Sequence, residues 1–508
     1  MKRFYVTTPI YYVNDEPHLG HAYTTVLADV LARYHRHMGE EVIFLTGTDE
    51  HGQKVQQAAD ARGMDPQAHC DELSKRFAAV WERLGISHDF YIRTTMKEHG
   101  DVVRRILSEL WDKGEIYADD YEGWYDVSEE RFFTEKELVD GKSPAGNEVV
   151  FLREKSYFFR MGKYQQQLID HIEANPDFIV PKKRANEVLG FLRQELGDLC
   201  ISRPKARLSW GIPLPFDEDY VCYVWFDALL NYYSGLSFGF DEDLSDLWPA
   251  DLHLIGKDIL TTHAVYWPTM LMGAGMPLPK TILAHGWWMF GEQKMSKSKG
   301  NVVKPLDTMD LYGRDILRYF LMREMTPGSD SNFSQDLIVE RNNTELANDL
   351  GNGLNRVTKL VEKHFEGALP SPCEEGDPEK DLKAAATLAA DGVTREVRNY
   401  HPNGAIREAM ELSRAVNRYL EVRAPWKAIK EDREAAGATL YHAAEALRIV
   451  GVLLHAVMPD KCGELLSRLG RPSEPADFAN SARWGVLQAG SPVHSGDPLF
   501  PRFELEEE

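Results

Sequence analysis

The stretch FYVTTPIYYVNDEPHLGHAYTTVLADVLARY (residues 4–34) starts as a strand-like run from Phe4 to Ile10. It passes through Pro17-His18-Leu19-Gly20-His21 into an amphipathic helix with apolar Ala22, Val26, Val30 and Tyr34. A strand feeding a helix N-terminus aims free backbone N–H groups and a partial positive charge at one point, where an anion is favoured. Gly20 lets a ligand approach the backbone closely, and His18 and His21 offer donors to phosphate oxygens. Far downstream, Lys294-Met295-Ser296-Lys297-Ser298 places two compact cations three apart in a loop softened by Ser296, Ser298 and Gly300. Together the motifs read as two jaws on a polyphosphate. Either one alone is equally an ordinary helix start or a solvated basic turn. Nucleotidyl transfer needs mainly positioning and charge neutralisation, so the lack of an obvious general base is no obstacle.

Working outward, residues 3–115 alternate strand-like segments (3–10, 41–46, 89–93) with amphipathic helices (53–62, 71–84, 99–113). That rhythm predicts a parallel sheet wrapped by helices, with ligands beyond the carboxyl ends of the strands. Two further clusters follow strands. Thr46-Gly47-Thr48-Asp49 offers a carboxylate for an ammonium group, and Ile255-Gly256-Lys257-Asp258 pairs a close-contact glycine with an acceptor for ribose hydroxyls. Read alone, the first is as readily a simple turn and the second a helix cap.

From about 116 to 215 the texture turns to aromatic-rich hairpin pieces, read as an insertion. The α/β rhythm resumes at 221–225, 253–255 and 281–284, and beyond Pro305 the chain becomes helical (306–323, 336–365, 382–419 with a break at His401-Pro402-Asn403-Gly404, and 431–458). The expected division is a catalytic unit from 1–115 and 216–300, an inserted unit at 116–215, a connecting segment at 301–345, and a helical unit at 346–508.

At 508 residues the chain is too long for a single core. It has no apolar run of about 18 residues, which argues against a spanning helix. Five scattered cysteines (Cys70, Cys200, Cys222, Cys373, Cys462) without a CxxC pair favour a reducing cytoplasm. The formal charge of −22 does not exclude a nucleic-acid partner, because binding follows the local field. Between Arg395 and Arg433, nine Lys/Arg face six Asp/Glu.

HLGH followed by KMSKS on such a scaffold resembles the class I aminoacyl-tRNA synthetases. The stretches TTPIYYVNDEPHLGH (7–21), GTDEHG (47–52), YVWFDA (223–228) and IGKDI (255–259) are similar to the methionyl-tRNA synthetase family in particular. The similarity runs from Phe4 to RAPW (423–426) and LFPR (499–502). It implies a Rossmann-like catalytic domain with an inserted connective domain, then an all-α helical-bundle anticodon-binding domain. Catalysis falls to His18, His21, Lys294 and Lys297, with Gly20, Gly256, Asp258, Ser296 and Ser298 around ATP and its Mg²⁺.

The methionine pocket it implies comprises Ile10, Tyr12, Asp49, Trp225, Leu229, Tyr232, Ile259 and His263, with Leu229 where many members carry proline. Sulfur–aromatic contacts and a polar Tyr or His edge suit a thioether. Asn352, Arg356, Pro425 and Trp426 correspond to the anticodon readers, where an unstacked base stacks on an indole; a helical bundle with a buried Trp is the plain alternative.

Many members bind zinc through cysteine pairs in the insertion. Here those positions hold Asp126 and Glu129, then Ser143 and Gly146, so the expectation is no structural zinc and no metal ligands. An insertion of about a hundred residues is too short for the editing domain of the leucine, isoleucine and valine enzymes. The implied partners are L-methionine, ATP, and initiator and elongator methionine tRNA, with no membrane. No dimerising module follows residue 508, which predicts a monomer. Two rivals stay open: a nucleotidyltransferase acting on a small cofactor, and a binding protein of this fold without chemistry.

Overall fold

The computed structural model describes residues 2–504 apart from 127–130, 134, 291–292, 295–302, 374 and 476. Its centre is a seven-stranded parallel sheet. Arg3–Thr7 pairs with Glu41–Asp49 on one side and Leu252–Gly256 on the other; Phe90–Arg93 extends the first side and Ile282–His285 the second. Numbered by their place in the chain, these five strands run 3-2-1-4-5. The order reverses between Arg3–Thr7 and Leu252–Gly256, the crevice where such sheets bind ligands. Arg3–Thr7 is buried from Phe4 onward on both faces, as a strand covered by helices on either side requires.

The cluster TGTD is strand rather than turn: it completes Glu41–Asp49, and Tyr11–Tyr12 pairs with Thr48–Asp49.

Two sequence expectations are corrected. The stretch 221–225 is not part of the parallel sheet. Asp217–Cys222 pairs antiparallel with Ser202–Pro204 and Pro213–Leu214, and Val224–Leu229 is helix. Conversely, Ile179–Val180, inside the stretch read as insertion, pairs parallel with Ile282–Leu283 and closes the catalytic sheet's far edge. The remaining insertion is antiparallel, with Ile116–Asp126 and Val149–Phe159 as its long hairpin. Local pattern cannot tell a buried antiparallel strand from a parallel one, since both are short apolar runs.

The helix expected over 306–323 is two, Pro305–Tyr312 and Arg314–Glu324. They part at Gly313, whose φ of 92° lies in the left-handed region. The C-terminal helices Asp377–Arg398, Pro402–Arg423 and Arg433–Leu454 form a bundle whose core is continuous with that beneath Leu19–His37.

Fully buried Arg318 joins the parts. It donates to Asp29 Oδ2 (2.6 Å) on the helix Leu19–His37, to the Leu84 carbonyl (3.1 Å), and to the carbonyls of Ala456 (3.0 Å) and Val457 (2.9 Å). Burial alone raises a carboxyl pKa, but Arg318, Arg33 and Ser87 outweigh it and hold Asp29 below the usual range. Tyr34 adds a hydrogen bond to the Leu453 carbonyl (2.7 Å).

Candidate functional site

His18 caps the helix Leu19–His37. Its Nδ1 accepts from Gly20 N (3.0 Å), His21 Nδ1 accepts from His18 N (3.3 Å), and the rings stack with centroids 3.7 Å apart. With each Nδ1 an acceptor, the hydrogen-bond pattern assigns both protons to Nε2, making both rings donors on their outer edge. A Cβ at residue 20 would sit 2.9 Å from His18 Cε1. Glycine is therefore needed first for the capping ring, before any ligand arrives.

The second motif is tied to the first through the backbone. Leu19 N donates to the Val303 carbonyl (3.1 Å), and Lys304 lies 3.5 Å from Glu16. The Lys294 backbone pairs with Met289 in a small sheet. Ser296, Lys297 and Ser298 lie outside the described residues, so the structure assigns them no position. Val303, beyond them in the chain, lies at the start of the histidine helix.

The strand ends converge on the same crevice. Asp49 ends its strand buried. Beside it, fully buried Glu50 accepts from Arg93 Nε (2.7 Å) and Nη2 (2.9 Å) and from Thr48 Oγ1 (2.8 Å), which fixes the turn. Gly256 ends the strand Leu252–Gly256. The next residue, Lys257, reaches both oxygens of Asp330 (2.8 and 2.7 Å) and sits 3.9 Å over the Trp287 ring, and exposed Asp258 accepts from Trp287 Nε1 (3.1 Å).

Ile10, Tyr12, Trp225 and Ile259 are half-buried against a core that contains Leu229 and Tyr232. Tyr12 meets Trp225 edge-on at 6.0 Å, and Trp225 meets His263 edge-on at 6.2 Å. His263 Nδ1 lies 3.0 Å from the Ile259 carbonyl, which can only accept, so the proton is on Nδ1 and Nε2 accepts from Tyr232 Oη (2.7 Å). Burial holds His263 down at about 4, so the ring is neutral at pH 7. The result is a half-buried aromatic patch, with Tyr232 and His263 locked together in the core beneath it. It suits a flexible apolar side chain carrying a weak acceptor.

Sequence reasoning missed the support behind this wall. Buried Asp227 bonds His51 Nδ1 (2.7 Å) and His99 Nε2 (2.8 Å), and His99 Nδ1 meets Ser234 Oγ (2.7 Å). Burial opposes its charge, but His51 and then His99 hold the Asp227 carboxyl below its usual range. The pair ties the turn after Asp49 to the helix bearing Trp225. His51 and Asp227 lie in motifs already quoted; His99 carried no signal.

In the C-terminal bundle the structure brings Arg356 and Trp426 together, the guanidinium 4.4 Å from the ring centroid, and Arg356 Nη2 donates to Glu421 Oε1 (2.8 Å). Exposed Asn352 stands one turn earlier on the same helix. Trp426 is half-buried rather than part of the core, and Pro425 beneath it is buried. Arg423 donates to Glu379 Oε1 (2.7 Å), pinning the turn that presents Trp426. Burial would raise Glu379, but Arg423 and Tyr419 hold it down to about 2.

Comparison with known proteins agrees with this geometry. The family model "tRNA synthetases class I (M)" matches residues 4–150 and 135–358, and "Anticodon binding domain of methionyl tRNA ligase" matches 369–508. The methionine--tRNA ligase of Halalkalibacterium halodurans is 44% identical across 100% of this chain and 79% of its own length. That of Rickettsia felis is 44% identical over 99% of this chain and 98% of its own. Mycobacterium tuberculosis methionyl-tRNA synthetase, solved in complex with methionyl-adenylate, superposes with a TM-score of 0.94 at 41% identity, covering 99% of this chain and 100% of that one. The chain therefore belongs to the methionyl-tRNA synthetases of class I, and it joins methionine to tRNA at the expense of ATP by way of methionyl-adenylate, releasing AMP and pyrophosphate.

Proposed function

We propose that this ligation runs in the crevice between Arg3–Thr7 and Leu252–Gly256, with the residue roles that follow. The observation that carries the assignment is the Leu19–Val303 hydrogen bond, which brings the chain that follows the second motif to the helix start at the first. Asp49 takes the methionine ammonium, and the side chain enters between Ile10, Tyr12, Trp225, Leu229, Tyr232, Ile259 and His263. The methionine carboxylate attacks the α-phosphorus of ATP; the new O–P bond forms as the α–β bridge breaks and pyrophosphate departs. His18 and His21 donate from Nε2 to the charge that builds on the phosphate oxygens, while Lys294 and Lys297 neutralise the leaving group. Gly20, Gly256, Asp258, Ser296 and Ser298 frame the nucleotide. Mg²⁺ arrives with the ATP phosphates, needing no cage of its own. A terminal hydroxyl of tRNA then takes the methionyl group and AMP leaves.

The units divide as 1–115 and 216–300 for chemistry, 116–215 as an insertion whose Ile179–Val180 returns to the catalytic sheet, 301–345 as connector and 346–508 for the anticodon, with Asn352, Arg356, Pro425 and Trp426 as readers. The reading is of a monomer acting in the cytoplasm on initiator and elongator tRNA, one chain supplying both motifs, the pocket and the anticodon residues. Among the described residues no helix is long and apolar enough to cross a membrane. Methionine-dependent exchange of pyrophosphate into ATP, with other amino acids as controls, tests the whole assignment. Exchange driven equally by another amino acid would overturn the pocket.

Tyr232→Phe removes the donor to His263 Nε2 and leaves a buried lone pair bare, at a cost of about 1–3 kcal/mol. The expected result is a KM for methionine raised about ten-fold with kcat little changed, measured by the same exchange. A fall in kcat alone would detach the pair from binding.

We also propose that the insertion holds no zinc. At one former ligand position, buried Asp126 accepts from Asn147 Nδ2 (2.9 Å); at others, Gly146 N donates to the Ser143 carbonyl (2.8 Å), closing the turn by hydrogen bonds. Glu129 lies outside the described residues. The metal content of purified Asp126→Asn is expected to equal that of the parent; a drop of about one ion per chain would refute a metal-free insertion.

A further inference from the structure

The helix that opens beside His18 ends at His37, against the C-terminal bundle. There His37 faces His455, which follows the helix Arg433–Leu454, with ring centroids 5.3 Å apart. His455 is fully buried. Among the described residues neither of its nitrogens has a hydrogen-bond partner, nor does His37 Nδ1. The Ser473 backbone lies near the His455 ring, but outside hydrogen-bond geometry. Glu474, on the loop after Pro459–Arg468, brings Oε2 to 3.6 Å from His455 Nε2. One donor atom from each of the three residues lies within 4.8 Å of the other two. A buried imidazole nitrogen left without a partner costs about 1–3 kcal/mol, and both rings bring one to this cluster.

We infer that His37, His455 and Glu474 bind a divalent transition metal of the zinc class, stapling the end of the nucleotide-site helix to the anticodon-binding bundle. Two imidazoles and a carboxylate, with water in the fourth position, are a regular zinc donor set. Metal–ligand bonds of about 2.0–2.1 Å at tetrahedral angles put neighbouring donors roughly 3.4 Å apart, close to the observed 3.6 Å. The cations nearby are already engaged: Arg33 and Arg318 both bond Asp29 (2.8 and 2.6 Å), and Arg36 bonds Asp89 (2.7 Å). Asp460, on the His455 side, is likewise paired, with Arg314. Cysteine spacing, the basis for expecting no metal ligands, is blind to a site assembled from three distant segments.

The test is Zn²⁺ loading of the full chain, desalting and elemental analysis, with Co²⁺ as a spectroscopic stand-in. The expected result is about one ion retained per chain, visible tetrahedral Co²⁺ bands and a metal-dependent rise in Tm. Glu474→Gln, at an exposed position, should weaken binding more than the roughly ten-fold that loss of even an outer-sphere partner brings. His455→Gln should abolish the binding, and methionine-dependent exchange by Glu474→Gln should be unchanged. Failure of the parent chain to retain metal would overturn the site. Retention by Glu474→Gln at undiminished affinity would do so as well, even if His455→Gln did not fold.

Discussion

Lys297→Ala is expected to slow methionine-dependent pyrophosphate exchange by about two to three orders of magnitude, the loss typical when one group aimed at developing charge is removed. The lysine carries a compact charge suited to departing pyrophosphate. Val303, further along the chain, accepts from Leu19 N at the start of the histidine helix. Methionine affinity should barely move, because Tyr12, Trp225 and His263, proposed to line the methionine pocket, come from other elements, a short strand and two helical segments. Equilibrium methionine binding measured beside exchange separates the two effects. Undiminished exchange would remove Lys297 from the chemistry, and a parallel loss of methionine binding would make its role structural.

Trp426→Ala should show the opposite pattern. Exchange stays normal while charging of methionine tRNA falls about 10- to 100-fold, since base–aromatic stacking is worth about 1–3 kcal/mol. In the free chain the Arg356 guanidinium lies over this indole and is steadied by Glu421. Removing the ring therefore releases the arginine as well, which pushes the loss toward the upper end of that range. Charging kinetics at saturating methionine and ATP, set against exchange, provide the reading. Equal loss in both would mean that the half-buried Trp426 serves the bundle rather than the anticodon.

Much of the site was legible in the chain because its chemistry is local. A histidine pair at a helix start, a carboxylate at a strand end and a glycine-bearing strand end are each made by a few consecutive residues whose spacing dictates their direction. What stayed hidden depends on pairing between distant segments. Nothing near Ile179 says that it completes the parallel sheet, and nothing near Val221 says that its strand does not join it. Gly20 was read as space for a ligand, yet its first duty is to clear the His18 ring. His99 looked like any residue on an amphipathic helix until the fold set it on Asp227.

The sequence by itself determined the histidine pair at a helix start, the alternating α/β order and the helical C-terminal half. Hydrophobic periodicity and helix-start chemistry act over a few residues, and they survive in one dimension. Only the tertiary structure decided which strands are neighbours, which nitrogen of His263 carries the proton, and what buried Asp227, Arg318 and His455 face. Those are contests between desolvation and partners supplied from other parts of the chain, and no local pattern encodes their outcome.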